Sequence, residues 1–132
     1  MDKNDFCSAK AMSHEGFGLM WAGARATYGL TRGRACFEVR IESNSSVDHL
    51  VNEPTPNVTR VGWSVNNSTM QLGEDPLSFG YGGTGKKSVN CRFEDYGRPF
   101  GAGDVIASYL VGFFHFSIII YIILQYCNLF SM

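Results

Sequence analysis

Apolar and polar residues alternate with a period of two along several short stretches of this chain, the spacing of strands with one buried face. From Arg34 to Glu42, the side chains of Phe37, Val39 and Ile41 fall on one side, and those of Glu38, Arg40 and Glu42 on the other. Val58 to Val65 repeats the pattern with Val61, Trp63 and Val65 inward and Arg60 and Ser64 outward, while Gly62 leaves room for a close backbone approach. Ser78 to Tyr81 predicts a short third strand. The glycine-rich turn Gly82-Gly83-Thr84-Gly85 then leads into the alternating Val89, Cys91 and Phe93. Gly97 and Gly101 bracket a further turn before a strand from Asp104 to Leu110. Two polar stretches frame these elements: a lead-in, Met1 to Gly16, and a long surface loop, Ser43 to Pro56, with two prolines. Strands at this spacing, with long loops and no amphipathic helix between them, predict an all-β, antiparallel sandwich.

Composition supports one such domain and divides it in two. The chain has 132 residues, 45% of them apolar and 14% aromatic, enough for a single core. Its 15 Gly against 4 Pro suit tight turns between strands. A formal charge of -1 excludes a global basic field of the kind that holds nucleic acid without sequence preference. All charged residues lie at or before Asp104, and none occurs from Val105 to Met132. Val111 to Met132 includes five Ile and four Phe, long and apolar enough for a membrane span. The lack of a basic flank and the β-branched, aromatic content equally suit a buried or aggregation-prone end, although the segment exceeds the 4 to 8 residues or so of an ordinary buried strand. Both readings stand on the sequence.

The candidate chemistry is sparse. Cys7, Cys36, Cys91 and Cys127 are too far apart in sequence for a close-pair zinc motif, and Cys36 and Cys91 sit in strand-like runs that predict small buried thiols. His14, His49 and His115 are scattered. The stretch from Gly80 to Ser88 superficially resembles a phosphate-binding loop. Lys87, however, stands where such a loop needs Ser or Thr for magnesium, and the residues that follow alternate as a strand where a helix is required, so a hairpin turn is expected and no nucleotide cofactor. The pairs Glu74-Asp75 and Glu94-Asp95 fall on loops without fixed geometry, and no nucleophile carries a local catalytic signature, which predicts a protein that is not an enzyme. The polar start lacks a signal peptide's apolar centre, so the sites at Asn44, Asn57, Asn66 and Asn67 with glycosylation spacing read as loop composition, and an intracellular compartment is expected. Arg25, Arg32, Arg34 and Arg40 oppose only Glu38 within 16 residues. A solvated strand face and a patch for carboxylate or phosphate both fit that spacing. The candidate binding residues are therefore Arg25, Arg32 and Arg34, with Glu74 and Tyr81 from the Glu74 to Tyr81 region.

Several ordered blocks carry a family resemblance. Trp21-Ala22-Gly23-Ala24-Arg25-Ala26-Thr27-Tyr28-Gly29 and Gly33-Arg34-Ala35-Cys36-Phe37-Glu38-Val39 are followed by Arg60-Val61-Gly62-Trp63-Ser64, Leu72-Gly73 and Ser78-Phe79-Gly80-Tyr81. Gly82-Gly83-Thr84-Gly85-Lys86-Lys87 and Gly103-Asp104-Val105-Ile106 complete the series. Together they resemble the SPRY domain of heterogeneous nuclear ribonucleoprotein U and U-like proteins over Trp21 to about Ile106. The resemblance implies a sandwich of two curved antiparallel sheets whose loops bind protein partners, in a nuclear, RNA-associated protein whose RNA contacts are indirect or lie in other regions. The family usually continues with Gly-Cys and several more strands, where this chain has Ala107-Ser108-Tyr109-Leu110 and the apolar tail. The expected organisation is a lead-in over 1–16, a partial SPRY domain over 17–110 and an apolar tail over 111–132. Alternative readings are a tail-anchored protein that displays the partial module, and a truncated product without stable function.

Overall fold

The computed structural model describes Ser8, residues 21–44, Thr55 and residues 57–126, with the side chains of these outside 21–22 and 113–126. The lead-in apart from Ser8, most of the loop from Ser43 to Pro56, and residues 127–132 lie outside that description. Six strands follow in order: β1 (Trp21–Arg40), β2 (Asn57–Val65), β3 (Ser78–Gly82), β4 (Lys86–Val89), β5 (Arg92–Asp95) and β6 (Val105–Tyr126). Every pairing is antiparallel, and the spatial order is β1-β6-β2-β3-β4-β5. The expected all-β, antiparallel class is what the chain adopts.

The apolar end supplies a central strand. β6 pairs with β1 along most of its length, from Val105 opposite Arg40 to Gln125 opposite Trp21, and its second half also pairs with β2, from Ile118 opposite Val65 to Tyr126 opposite Asn57. Two strands of 20 and 22 residues exceed the usual strand length several-fold because they bend. Trp63 is opposite Ile120 in the β2–β6 ladder, yet its indole Nε1 donates a 2.9 Å hydrogen bond to Ser108 Oγ, twelve residues earlier on β6. A straight strand would separate Ser108 from Ile120 by about 40 Å. The first half of β6 and the second half of β1 therefore fold back over β2 as a second layer. The turning region coincides with register shifts in β1 between Arg25 and Gly29 and between Leu30 and Arg32, the kind of irregularity that bends a ribbon.

Between the layers lies the core. Trp63 and Val65 are buried, and Leu30, Ala35, Phe37 and Leu110 pack against them, with the Phe37 ring 5.0 Å from that of Trp63. Phe37 and Ser108 are cross-strand partners, so they share a face and meet Trp63 together. Along this upper layer burial alternates as the sequence predicts: Phe37 and Val39 are half-buried, Ile41 is buried, and Glu38 and Arg40 are exposed. The same alternation that turns Phe37 inward turns Cys36 outward, so the expectation of a buried thiol there is overturned.

β2 departs from simple alternation. Val61, Trp63 and Val65 are buried as expected, but Ser64 is fully buried and Arg60 half-buried, which corrects their expected outward exposure. The cause is the loop between β2 and β3, whose Leu72, itself fully buried, covers the second face of β2 beside Gly62. The run through Val89, Cys91 and Phe93 is likewise two strands and not one. Asn90 and Cys91 adopt φ of 50° and 59° and turn β4 back onto β5, the left-handed pair of a tight hairpin, so Cys91 is exposed at the turn and not buried in a strand. Among the described residues no helix is long and apolar enough to cross a membrane, and the apolar tail is strand from Val111 to Tyr126.

Candidate functional site

Among the described residues, the loop from Asn66 to Leu77 is braced by bonds from several elements. Its own turns are closed by Ser68 N to Val65 O, Glu74 N to Gln71 O and Ser78 N to Asp75 O, at 3.1 to 3.2 Å. Thr69 bridges the two ends: its backbone N–H donates to Asp75 Oδ2 at 2.7 Å and its hydroxyl to Glu74 Oε2 at 3.2 Å. The hairpin turn of β4 and β5 docks beneath it, where Asn90 N donates to Asp75 O and Cys91 N to Gly73 O. Ser78 Oγ accepts from Gly73 N at 2.8 Å.

Two guanidinium groups tie this loop to the sheet. Arg25 on β1 donates to the carbonyls of Asn66, Ser68 and Thr69 at 2.6 to 2.9 Å, a fork that collects three acceptors. Arg60 on β2 donates to Leu72 O at 3.2 Å and lies over the Phe93 ring, 5.1 Å from its centroid. Burial lowers the pKa of Arg60, and the negative charge of Glu74 opposes that shift. With the carbonyls of Asn66, Ser68, Thr69 and Leu72 bonded by these guanidinium groups, the loop presents Met70, 54% exposed, and Leu77, 42% exposed, to solvent. Backbone held by a rigid sheet with apolar side chains turned out can dock a partner without first paying to order itself.

The sequence-derived residues divide among three places. Arg25 and Glu74 meet at Thr69 and act as supports of the loop. Arg32 and Arg34 are exposed on β1, near its bend and opposite Val111 respectively, away from those supporting bonds. Tyr81 is half-buried on β3: its hydroxyl donates to the carbonyl of Arg98, and its ring meets those of Tyr96 and Phe100 at 5.5 and 5.0 Å. Met70 and Arg60 were not among the sequence candidates, and Asp75 and Leu77 lay within the Glu74 to Tyr81 region without being singled out. Of these only Asp75 carried a signal, since Asp six residues after Thr69 and just before Pro76 suits a side chain that closes a turn.

The glycine-rich stretch is a hairpin turn. Gly85 N donates to Gly82 O at 2.8 Å, Gly83 N to Thr59 O, and the carbonyl of Gly85 accepts from Tyr96 N and Gly97 N, so its backbone groups are spent inside the fold. β4 follows directly, with Lys86 and Lys87 paired to Asp95 and Glu94 at 3.4 and 3.1 Å. Among the described residues no three His, Cys, Asp or Glu gather to hold a metal.

These features define an antiparallel β domain that displays a braced loop. Its relatives carry the identification further. The chain is 44% identical over 95 residues to heterogeneous nuclear ribonucleoprotein U-like protein 2 of mouse and of human, a match that covers 72% of this chain and 12% of each relative. It is 37% identical over 90 residues to the probable ATP-dependent RNA helicase ddx1 of Dictyostelium discoideum, covering 68% of this chain and 10% of that protein. No protein-family model matches. These matches bear out the resemblance to the hnRNP U-like SPRY region, and the chain spans about an eighth of the length of its U-like relatives.

Proposed function

We propose that this chain is a non-catalytic protein-interaction module of a nuclear, RNA-associated hnRNP U-like protein, and that it recognises its partner through the loop from Asn66 to Leu77. The observation that carries the reading is the bracing of that loop by Arg25, Arg60 and Thr69 while Met70 and Leu77 remain exposed. Arg25 and Glu74 are positioning residues in this account. Arg32 and Arg34 form a separate exposed stretch that adds donors for an acidic partner. The relatives' names, a ribonucleoprotein and an RNA helicase, support an RNA-associated setting. The formal charge of -1 favours protein over RNA as the direct contact.

The test is recovery of nuclear proteins on the immobilised chain, with and without ribonuclease. A ribonuclease-resistant set is expected, reduced at least about tenfold by Met70→Asp with Leu77→Asp, since truncating a central apolar anchor typically costs about 2 kcal/mol or more. Arg32→Glu with Arg34→Glu should weaken recovery less. Recovery that vanishes with ribonuclease, or that survives the loop substitutions unchanged, contradicts the reading.

A further inference from the structure

The open edge of the upper layer carries a pattern of its own. From Val105 to Gly112, β6 is paired on one side by β1, and among the described residues no strand pairs with its other side, since β2 joins only from Ile118 onward. Edge strands are ordinarily protected by charge, proline or a bulge. This one has no charge and no proline, and its register with β1 from Val105 to Phe113 is unbroken. Its outward face is apolar: Val105, Ala107, Tyr109 and Val111 are all exposed, with Tyr109 at 73%. Beside that stripe, their β1 partners Arg40, Glu38, Cys36 and Arg34 form a mostly charged row on the same face.

About Ser108, the segment Val105-Ile106-Ala107-Ser108-Tyr109-Leu110-Val111 mirrors valine with valine and isoleucine with leucine, while Ala107 mirrors Tyr109. Antiparallel pairing with an identical strand around a two-fold axis at Ser108 sets Val105 opposite Val111, Ile106 opposite Leu110 and Ala107 opposite Tyr109. Valine meets valine, and the smallest side chain meets the largest. The resulting layer has the order β1-β6-β6-β1, with the apolar stripes joined at its centre and the charged rows at its flanks. That is the distribution of a stable interface, apolar within and polar at the rim. A two-fold contact uses the same patch twice, and this exposed apolar stripe is complementary to itself, which suits a second copy as its occupant. We propose that the Val105 to Val111 edge of β6 is a self-association surface whose occupant is a second copy of this chain. The loop from Asn66 to Leu77 takes no part in it.

Sedimentation of the full chain over a dilution series tests the register directly. Val105→Lys with Val111→Lys sets like charges opposite each other twice per dimer, and Val105→Lys with Val111→Glu sets opposite charges there. Both positions are exposed in the single chain, so tryptophan emission should stay native in both variants. The unaltered chain should reach a dimer. The double-lysine variant should weaken association by about 100-fold, and the lysine–glutamate variant should recover most of it. A chain that stays monomeric, a continuous growth into larger aggregates, or equal weakening by both variants overturns the proposal. Should either variant lose its native emission, deuterium exchange of the unaltered chain decides. Protection of the 105–112 amides that rises with concentration supports the dimer, and concentration-independent exchange contradicts it.

Discussion

A Cβ placed on Gly62 would overlap the carbonyl oxygen of Phe79 on the neighbouring strand and stand 3.1 Å from Leu72 Cδ2. The backbone side of that clash cannot swing away as a side chain could. Gly62→Ala is therefore expected to cost about 3 kcal/mol, at the upper end of overpacking, as measured by urea denaturation. Gly101→Ala, where nothing stands within 4 Å of the added carbon, should stay within about 0.5 kcal/mol. Equal effects at the two sites would contradict the packing of Leu72 and its loop on β2. The close approach at Gly62 was legible in the sequence, because a lone glycine in a strand pattern has few other uses. What approaches it was not. Leu72 sits among polar and turn-forming residues, and no periodicity marks it as the fully buried lid of the second face.

Among the elements, the β4–β5 hairpin shows how a local conformation overrides a pattern. Val89, Cys91 and Phe93 alternate like one strand, but the chain reverses at Asn90 and Cys91, both with positive φ. Asparagine tolerates that region and a β-branched residue does not. Asn90→Val should therefore lower stability by about 1–2 kcal/mol in thermal or urea unfolding, and it should also loosen the loop from Asn66 to Leu77, because Asn90 N and Cys91 N hold its Asp75 and Gly73 carbonyls. An unchanged midpoint would mean that the turn is not left-handed. β6 is the opposite case. Its uniform apolar composition gave no period to separate strand from span, and its length argued against a single strand. A bend that lets one strand serve two layers removes that length limit, and a bend depends on contacts such as Trp63 to Ser108 that no local pattern contains.

At the scale of the molecule, the loop that we propose for recognition depends on the sheet beneath it, and the sheet depends on β6 lying between β1 and β2. The antiparallel class and the U-like resemblance could be read from ordered blocks of residues. The site was legible only in part. Arg25 and Glu74, singled out as binding groups, hydrogen-bond to Thr69 and its neighbours, while the exposed Met70 carried no sequence signal and Leu77 lay unmarked within the Glu74 to Tyr81 region. The most direct test of the whole arrangement is deuterium exchange, resolved by peptide, on the full chain at a concentration low enough to disfavour self-association. A central strand shares its hydrogen bonds with both neighbours, so Ile118 to Tyr126 should exchange as slowly as Val58 to Val65, and the two segments should lose protection together as denaturant is added. Rapid exchange from Ile118 to Tyr126 while Val58 to Val65 stays protected would contradict the fold and, with it, the scaffold on which the recognition loop stands.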